Sequence, residues 1–278
     1  MISNYKYKPL KYFAIAFTAT YTLWLTAAYL SFQSDKTSLY MIFTLLGLMA
    51  PFITSTFMIF TSKNSDLKKD FINRLINPKL IQPKIIPVFL FIMPVSVLIS
   101  IVISLLFGQS TCQFQLAKNF SFSSGFVPVL LLLGLAATFE ELGWRGYAFD
   151  SLQSRYTFFK ASIIFGMLWS LWHFPLIFIK NSYQYEIFNQ STWFALNFFI
   201  SIIPIGIIIS WICIKNNKSI LAAILFHFII NLSQEALQIT QFTKCIETLV
   251  LIVIATIIVI TNMKMFFDKP LRAQKETL

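Results

Sequence analysis

The sequence predicts an all-α, polytopic membrane protein of about eight transmembrane helices. Three observations carry the prediction. The 278 residues are 57% hydrophobic and only 12% charged, with a mean hydropathy of +0.72, a balance far too apolar for an ordinary soluble domain. At roughly 20 apolar residues per span, the chain divides into runs at 12–32, 38–61, 86–107, 125–143, 161–179, 192–214, 219–238 and 247–263. The Lys and Arg residues then separate by side: with the N-terminus placed inside, Lys36, Lys118, Lys180 and Lys244 fall outside and the other eighteen of the 22 fall inside. That asymmetry predicts cytosolic N- and C-termini. It also accounts for the net charge of +11 without a nucleic-acid partner.

Taken in order, Met1 to Lys11 is a basic, aromatic lead expected at the inner interface. The first apolar run is too long for a typical signal-peptide core, so no cleavable signal is expected. The first two spans form a hairpin closed by Gln33 to Thr37, with Pro51 expected to bend the second. In the inner loop from Ser62 to Lys84, the stretch D-L-K-K-D-F-I-N-R-L-I spaces apolar residues near helical period with basic residues between them. It reads either as a helix lying on an anionic leaflet or as a solvated loop with a helical turn. Gln109 to Ser124 is an outer loop without a motif.

The fourth span delivers T-F-E-E-L-G-W-R, Thr138 to Arg145, and is expected to continue as helix past Arg145. Tyr147 to Lys160 follows as a polar connection. The fifth span carries His173 beside Trp172 and before Pro175; the sixth carries Pro204 and Gly206, expected to kink or pack closely. The seventh carries His227 and Asn231, with Glu235 near its outer end and expected in solvent. The eighth is plainly apolar and leads to a basic tail ending K-E-T-L. No internal repeat or low-complexity segment is visible, so residues 1–278 read as one integral membrane domain with a catalytic core at about 125–235. Cys112, Cys213 and Cys245 lack metal-site spacing, and Cys112 and Cys245, on the same outer side, are a conceivable disulfide.

An ionisable residue inside hydrocarbon is costly and marks a functional site by default. Both histidines of the chain, His173 and His227, lie in apolar spans, as does the Glu140–Glu141 pair. Glu141 and Arg145 are four residues apart and can pair on one helix face. Glu140, roughly 100° around the helix, is then free to face a neighbour. His227 and Asn231 share a face, as do Trp169 and His173. A carboxylate and an imidazole converging on water make a general base, and a second imidazole with an amide can hydrogen-bond the oxyanion of a tetrahedral intermediate. These parts suffice to hydrolyse an amide bond without a cofactor. The alternative is a zinc site of Glu140, His173 and His227, although H-E-x-x-H is absent. Trp169 and Trp172 are expected to pack or to wall a lipid chain. Two other classes stay open on residues alone: a non-enzymatic scaffold or immunity factor, and a proton-coupled transporter.

E-E-x-x-x-R at Glu140, Glu141 and Arg145, aromatic-x-x-x-His at Trp169 and His173, and His-x-x-x-Asn at His227 and Asn231 resemble the motifs of the membrane protease family that includes the Ras-converting CAAX prenyl endopeptidase and bacterial proteins linked to bacteriocin processing and immunity. The resemblance implies an eight-span fold around a polar cavity open to the cytosol. It implies water activated by Glu140 and His173, an oxyanion site of His227 and Asn231, and supporting roles for Glu141 and Arg145. The implied substrate is a prenylated CAAX protein or peptide at the lipid membrane, losing its C-terminal tripeptide; the alternative is a bacteriocin-processing or immunity protein.

Overall fold

The computed structural model describes residues 5–33, 37–117 and 126–268. The rest of the basic lead, Ser34 to Lys36 of the first outer turn, Lys118 to Ser124 and the basic tail lie outside the described residues. Twelve α-helices follow one another among those described: α1 (Pro9–Ser31), α2 (Thr37–Phe60), α3 (Ser65–Ile76), α4 (Ile86–Leu105), α5 (Phe126–Gly143), α6 (Phe149–Gln153), α7 (Phe158–Trp172), α8 (Tyr183–Gln190), α9 (Thr192–Lys215), α10 (Ile220–Ala236), α11 (Gln241–Thr261) and α12 (Met263–Phe267). The one β-feature among them is an isolated bridge between Leu116 and Leu237.

A helix occupies each of the eight expected spans. Six are long and apolar enough to cross a membrane: Pro9–Ser31, Ser38–Phe60, Pro83–Leu105, Phe158–Phe178, Thr192–Lys215 and Gln241–Thr261. The chain is therefore a multi-pass, all-α integral membrane protein. The remaining two, α5 and the 17-residue α10, are the helices bearing Glu140–Glu141 and His227–Asn231. At 1.5 Å per residue α10 extends only about 26 Å, less than the hydrocarbon core.

Local chemistry sets the helix ends. Side-chain oxygens of Asn64, Thr157, Ser191, Ser219 and Thr240 accept backbone N–H groups at the starts of α3, α7, α9, α10 and α11, each such cap contributing about 1 kcal/mol. The Thr240 cap starts α11 at Gln241 rather than at the expected 247, so Lys244, Cys245 and Glu247 are helical. The fifth span stops being α-helical at Trp172 and passes through His173 into a 3₁₀ turn, Phe174–Phe178. Pro175 explains the change, because it cannot donate to the α ladder and disfavours α geometry in the residue before it. At the α7–α9 crossing, a Cβ on Gly206 would meet Gly166 Cα at 3.0 Å, so the expected close packing at Gly206 is backbone against backbone.

The bundle has two distinct ends. At the α8 end, Lys180 N–H donates to Ser31 Oγ at 3.0 Å, Gln238 N–H to Gln115 O at 3.0 Å and Thr243 Oγ1 to Gln113 Oε1 at 2.6 Å. At the α3 end, Gln82 N–H donates to Asn216 Oδ1 at 2.7 Å, while Asp150 sits between Lys218 Nζ at 2.7 Å and Arg74 Nη1 at 3.0 Å.

Two sequence expectations change here. The amphipathic segment α3 is not a solvated loop: it is a helix on which Leu67, Phe71 and Arg74 are buried against the protein. The docking covers part of its apolar surface and leaves Ile72 and Ile76 exposed, and Arg74 Nη1 donates to Arg145 O at 3.3 Å. The expected polar connection from Tyr147 is instead buried helix as far as Leu152, because Asp150 meets two cations there. All three cysteines are free.

Burial alone would push the Asp150 carboxyl up, but Lys218 and Arg74 outweigh it and hold the group below the ordinary carboxylate range. A pKa depressed on folding contributes stability above the unfolded value, near 3.9, and that contribution is lost as pH falls below it. Asp150→Asn is expected to destabilise the protein by about 3 kcal/mol near neutral pH. Thermal unfolding in detergent should show a deficit that closes below about pH 4; a deficit independent of pH contradicts the ion-pair account.

Candidate active site

Glu140 and Glu141 occupy the last turn of α5, where Gly143 lets the helix press against α2: a Cβ at Gly143 would meet Pro51 Cβ at 2.6 Å. The chain then runs through a π-helical turn, Trp144–Ala148, into α6. This confirms the expected continuation of helix past Arg145, in the wider form that recurs at functional sites.

The two carboxylates have different surroundings. Glu140 is buried, and its Oε2 accepts the indole N–H of Trp169 at 2.8 Å and that of Trp144 at 3.4 Å. Both bonds fall on one oxygen, which leaves Oε1 without a partner among the described residues. Glu141 is fully buried behind it. It meets Arg145 Nη1 at 3.0 Å and accepts His227 Nδ1 at 2.8 Å. Arg145 also donates to Ser210 Oγ at 3.2 Å and lies 4.4 Å from the Phe165 ring centroid. The expected Glu141–Arg145 pair thus forms, buried in the core, and it extends to the second histidine.

His173 Nδ1 is 2.8 Å from Trp169 O. A carbonyl only accepts, so Nδ1 carries the proton and the neutral ring keeps a lone pair on Nε2. His227 Nδ1 likewise donates to a carboxylate, so its Nε2 donates only when the ring is an imidazolium, with Glu141 as counter-ion. Trp169 lies 5.3 Å from His227 and Trp172 lies 4.8 Å from His173, centroid to centroid, so indoles bracket both imidazoles.

Glu140, Trp169, His173, His227 and Asn231 line one cavity of about 370 Å³, within the size range of small-molecule sites. Its walls include Trp24, Leu48, Leu133, Trp172, Phe198 and Leu251; both tryptophans of the fifth span therefore face the cavity. Glu141 and Arg145 stand behind the wall. Among the described residues no three His, Cys, Asp or Glu side chains come close enough to hold a metal ion. Glu235 is exposed, as expected, at the cavity margin.

Sequence reasoning missed three features. Trp144 and Trp169 bond Glu140 through indole N–H groups, which their spacing as aromatics does not reveal. Glu247, buried and accepting Gln234 Nε2 at 2.7 Å, lines the cavity; recognising Thr240 as an N-cap would have placed it on a helix. The third is position: the lining residues belong to the half of the bundle toward the α8 end, whereas the strongly basic loops lie at the α3 end.

A buried carboxylate, two imidazoles with defined protonated nitrogens and an amide around an apolar cavity define a membrane-embedded site equipped for hydrolysis. The family model described as Type II CAAX prenyl endopeptidase Rce1-like matches residues 122–233. The chain is also 65% identical over 269 residues to CAAX prenyl protease 2 of Methanococcus maripaludis, covering 97% of this chain and 99% of that protein. The chain belongs to the CAAX prenyl endopeptidase family and is an integral membrane protease.

Proposed function

We propose that this protease removes the C-terminal tripeptide from prenylated CAAX proteins, with Glu140 as the general base and no metal. The observation that carries the reading is the single cavity shared by Glu140, His173, His227 and Asn231, in which both histidines have Nδ1 engaged and Nε2 left for substrate or water. The indole bonds on Oε2 hold the Glu140 carboxylate so that Oε1 takes a proton from water, while His173 Nε2 accepts that water's other hydrogen. The resulting hydroxide attacks the cysteine carbonyl of the CAAX sequence. The oxyanion accepts hydrogen bonds from the Asn231 amide and from His227 Nε2–H in its imidazolium form, balanced by Glu141. As the C–N bond breaks, Glu140 returns its proton to the departing amine. Glu141 and Arg145 position His227 and do not touch substrate. The apolar walls suit an isoprenoid chain, whose burial contributes about 0.8 kcal/mol per methylene.

Purified protein in detergent is expected to release the tripeptide from a farnesylated CAAX peptide, and to cut the unprenylated peptide at least about tenfold more slowly. Metal chelators should leave the rate unchanged. Equal cleavage of both peptides removes the lipid from the recognition; loss of activity on chelation, restored by zinc, restores the metal alternative.

The side of the membrane rests on two supports that disagree. The charge asymmetry favours a cytosolic α3 end, whereas a substrate prenylated in the cytosol requires the cavity to be reached from there. The substrate outweighs the charge rule, because the reaction cannot proceed without it whereas the rule is a statistical bias of insertion. Cys112, exposed at the α8 end, reports the outcome. It is expected to resist a membrane-impermeant maleimide in intact cells and to react in inverted vesicles. Labelling in intact cells reverses the orientation.

A further inference from the structure

Lys244 lies in the first turn of α11 and is the one Lys or Arg side chain lining the cavity among the described residues. A cation there is opposed by the positive end of the helix dipole. No carboxylate lies within ion-pair distance of it among the described residues. It is nevertheless held in place: Nζ donates to Tyr183 Oη at 3.1 Å and stands 4.5 Å from the Tyr183 ring centroid, and Tyr183 Oη in turn donates to Gln241 Oε1 at 3.1 Å. A tethered ammonium, reinforced by a helix N-terminus and with no carboxylate in direct contact, is suited to receive one.

The spacing indicates which anion. Gln234 is seven residues beyond His227 on α10, about 10 Å toward the α8 end. Its bond to Glu247 sets the level of α11, and Lys244 lies three residues nearer the α8 end than Glu247. An extended three-residue segment spans about 10–11 Å. By the same rise Lys244 lies about 15 Å beyond His227 and about 9 Å beyond Asn231, so a tripeptide whose scissile carbonyl sits beside Asn231 brings its terminal carboxylate to the level of Lys244. Two acidic groups share this part of the cavity: Glu235, exposed to solvent, and Glu247, buried and bonded to Gln234.

We propose that Lys244 is a specificity residue that binds the free C-terminal carboxylate of the substrate, with Tyr183 holding its ammonium in place. The inference rests on the CAAX reading above and adds to it how the enzyme would recognise a chain end three residues past the cut. It makes this protease a reader of both ends of its segment, the lipid on one side and the terminal charge on the other.

The test compares a farnesylated CAAX peptide ending in a free carboxylate with the same peptide ending in a carboxamide, each cut by wild type, Lys244→Met and Lys244→Arg. Wild type is expected to prefer the free acid by about 10- to 100-fold in kcat/KM, mostly through KM, since bonds to charged groups carry that much discrimination. Lys244→Met should abolish the preference, cutting acid and amide at rates within about twofold of each other; Lys244→Arg should retain it. Equal cleavage of acid and amide by wild type overturns the inference, as does a Lys244→Met variant that loses both substrates equally, which marks a structural role. If wild type cuts neither peptide while remaining folded, the CAAX reading itself fails, and the inference with it.

Discussion

Glu140→Gln is expected to lower kcat for peptide hydrolysis by about 10²- to 10⁴-fold, the usual contribution of a positioned general base, with little change in KM. The substitution preserves shape and keeps a carbonyl oxygen for the Trp169 and Trp144 indole N–H groups, so the variant should fold normally. It removes only the capacity to take and return a proton. Steady-state rates with an internally quenched prenylated peptide measure the effect. A variant with undiminished kcat assigns the proton transfer elsewhere, with His173 the next group to test.

Glu141→Ala is expected to cost about 3–5 kcal/mol of stability, because removing one partner of a fully buried ion pair leaves the other charge uncompensated. Arg145 would retain only Ser210 Oγ and the neutral rings of Phe165, Phe149 and Trp169, in a pocket closed to water. Activity should fall as well, since His227 Nδ1 loses the acceptor that orients the ring and balances its charge. The two effects separate in Glu141→Gln combined with Arg145→Met, which removes both charges while keeping an acceptor for His227. That double variant should recover much of the lost thermal stability and little of the activity. A normal melting temperature for Glu141→Ala contradicts the account of this network.

The helices, and the polar residues that share their faces, were legible because both depend on local periodicity. Apolar run length placed a helix at each span, and four-residue spacing paired Glu141 with Arg145 and put His227 beside Asn231. Contacts set by packing were not legible. The Glu141–His227 bond joins residues 86 positions apart, and no local pattern distinguishes it from a Glu141 that serves Arg145 alone. The helix α3 shows the same limit: its amphipathic pattern records an apolar face but not whether lipid or protein covers it. The π-helical turn after Gly143 has no spacing signature at all. The side of the cavity depends on how eight helices lean together, and the loop charges record only how they were inserted.

The most direct test of the central claim is mass spectrometry of a farnesylated CAAX peptide after incubation with purified wild type and with Glu140→Gln, both shown to be folded by thermal unfolding. The account predicts release of the intact C-terminal tripeptide by wild type and at most traces from the variant. Tripeptide release by Glu140→Gln at the wild-type rate would contradict it.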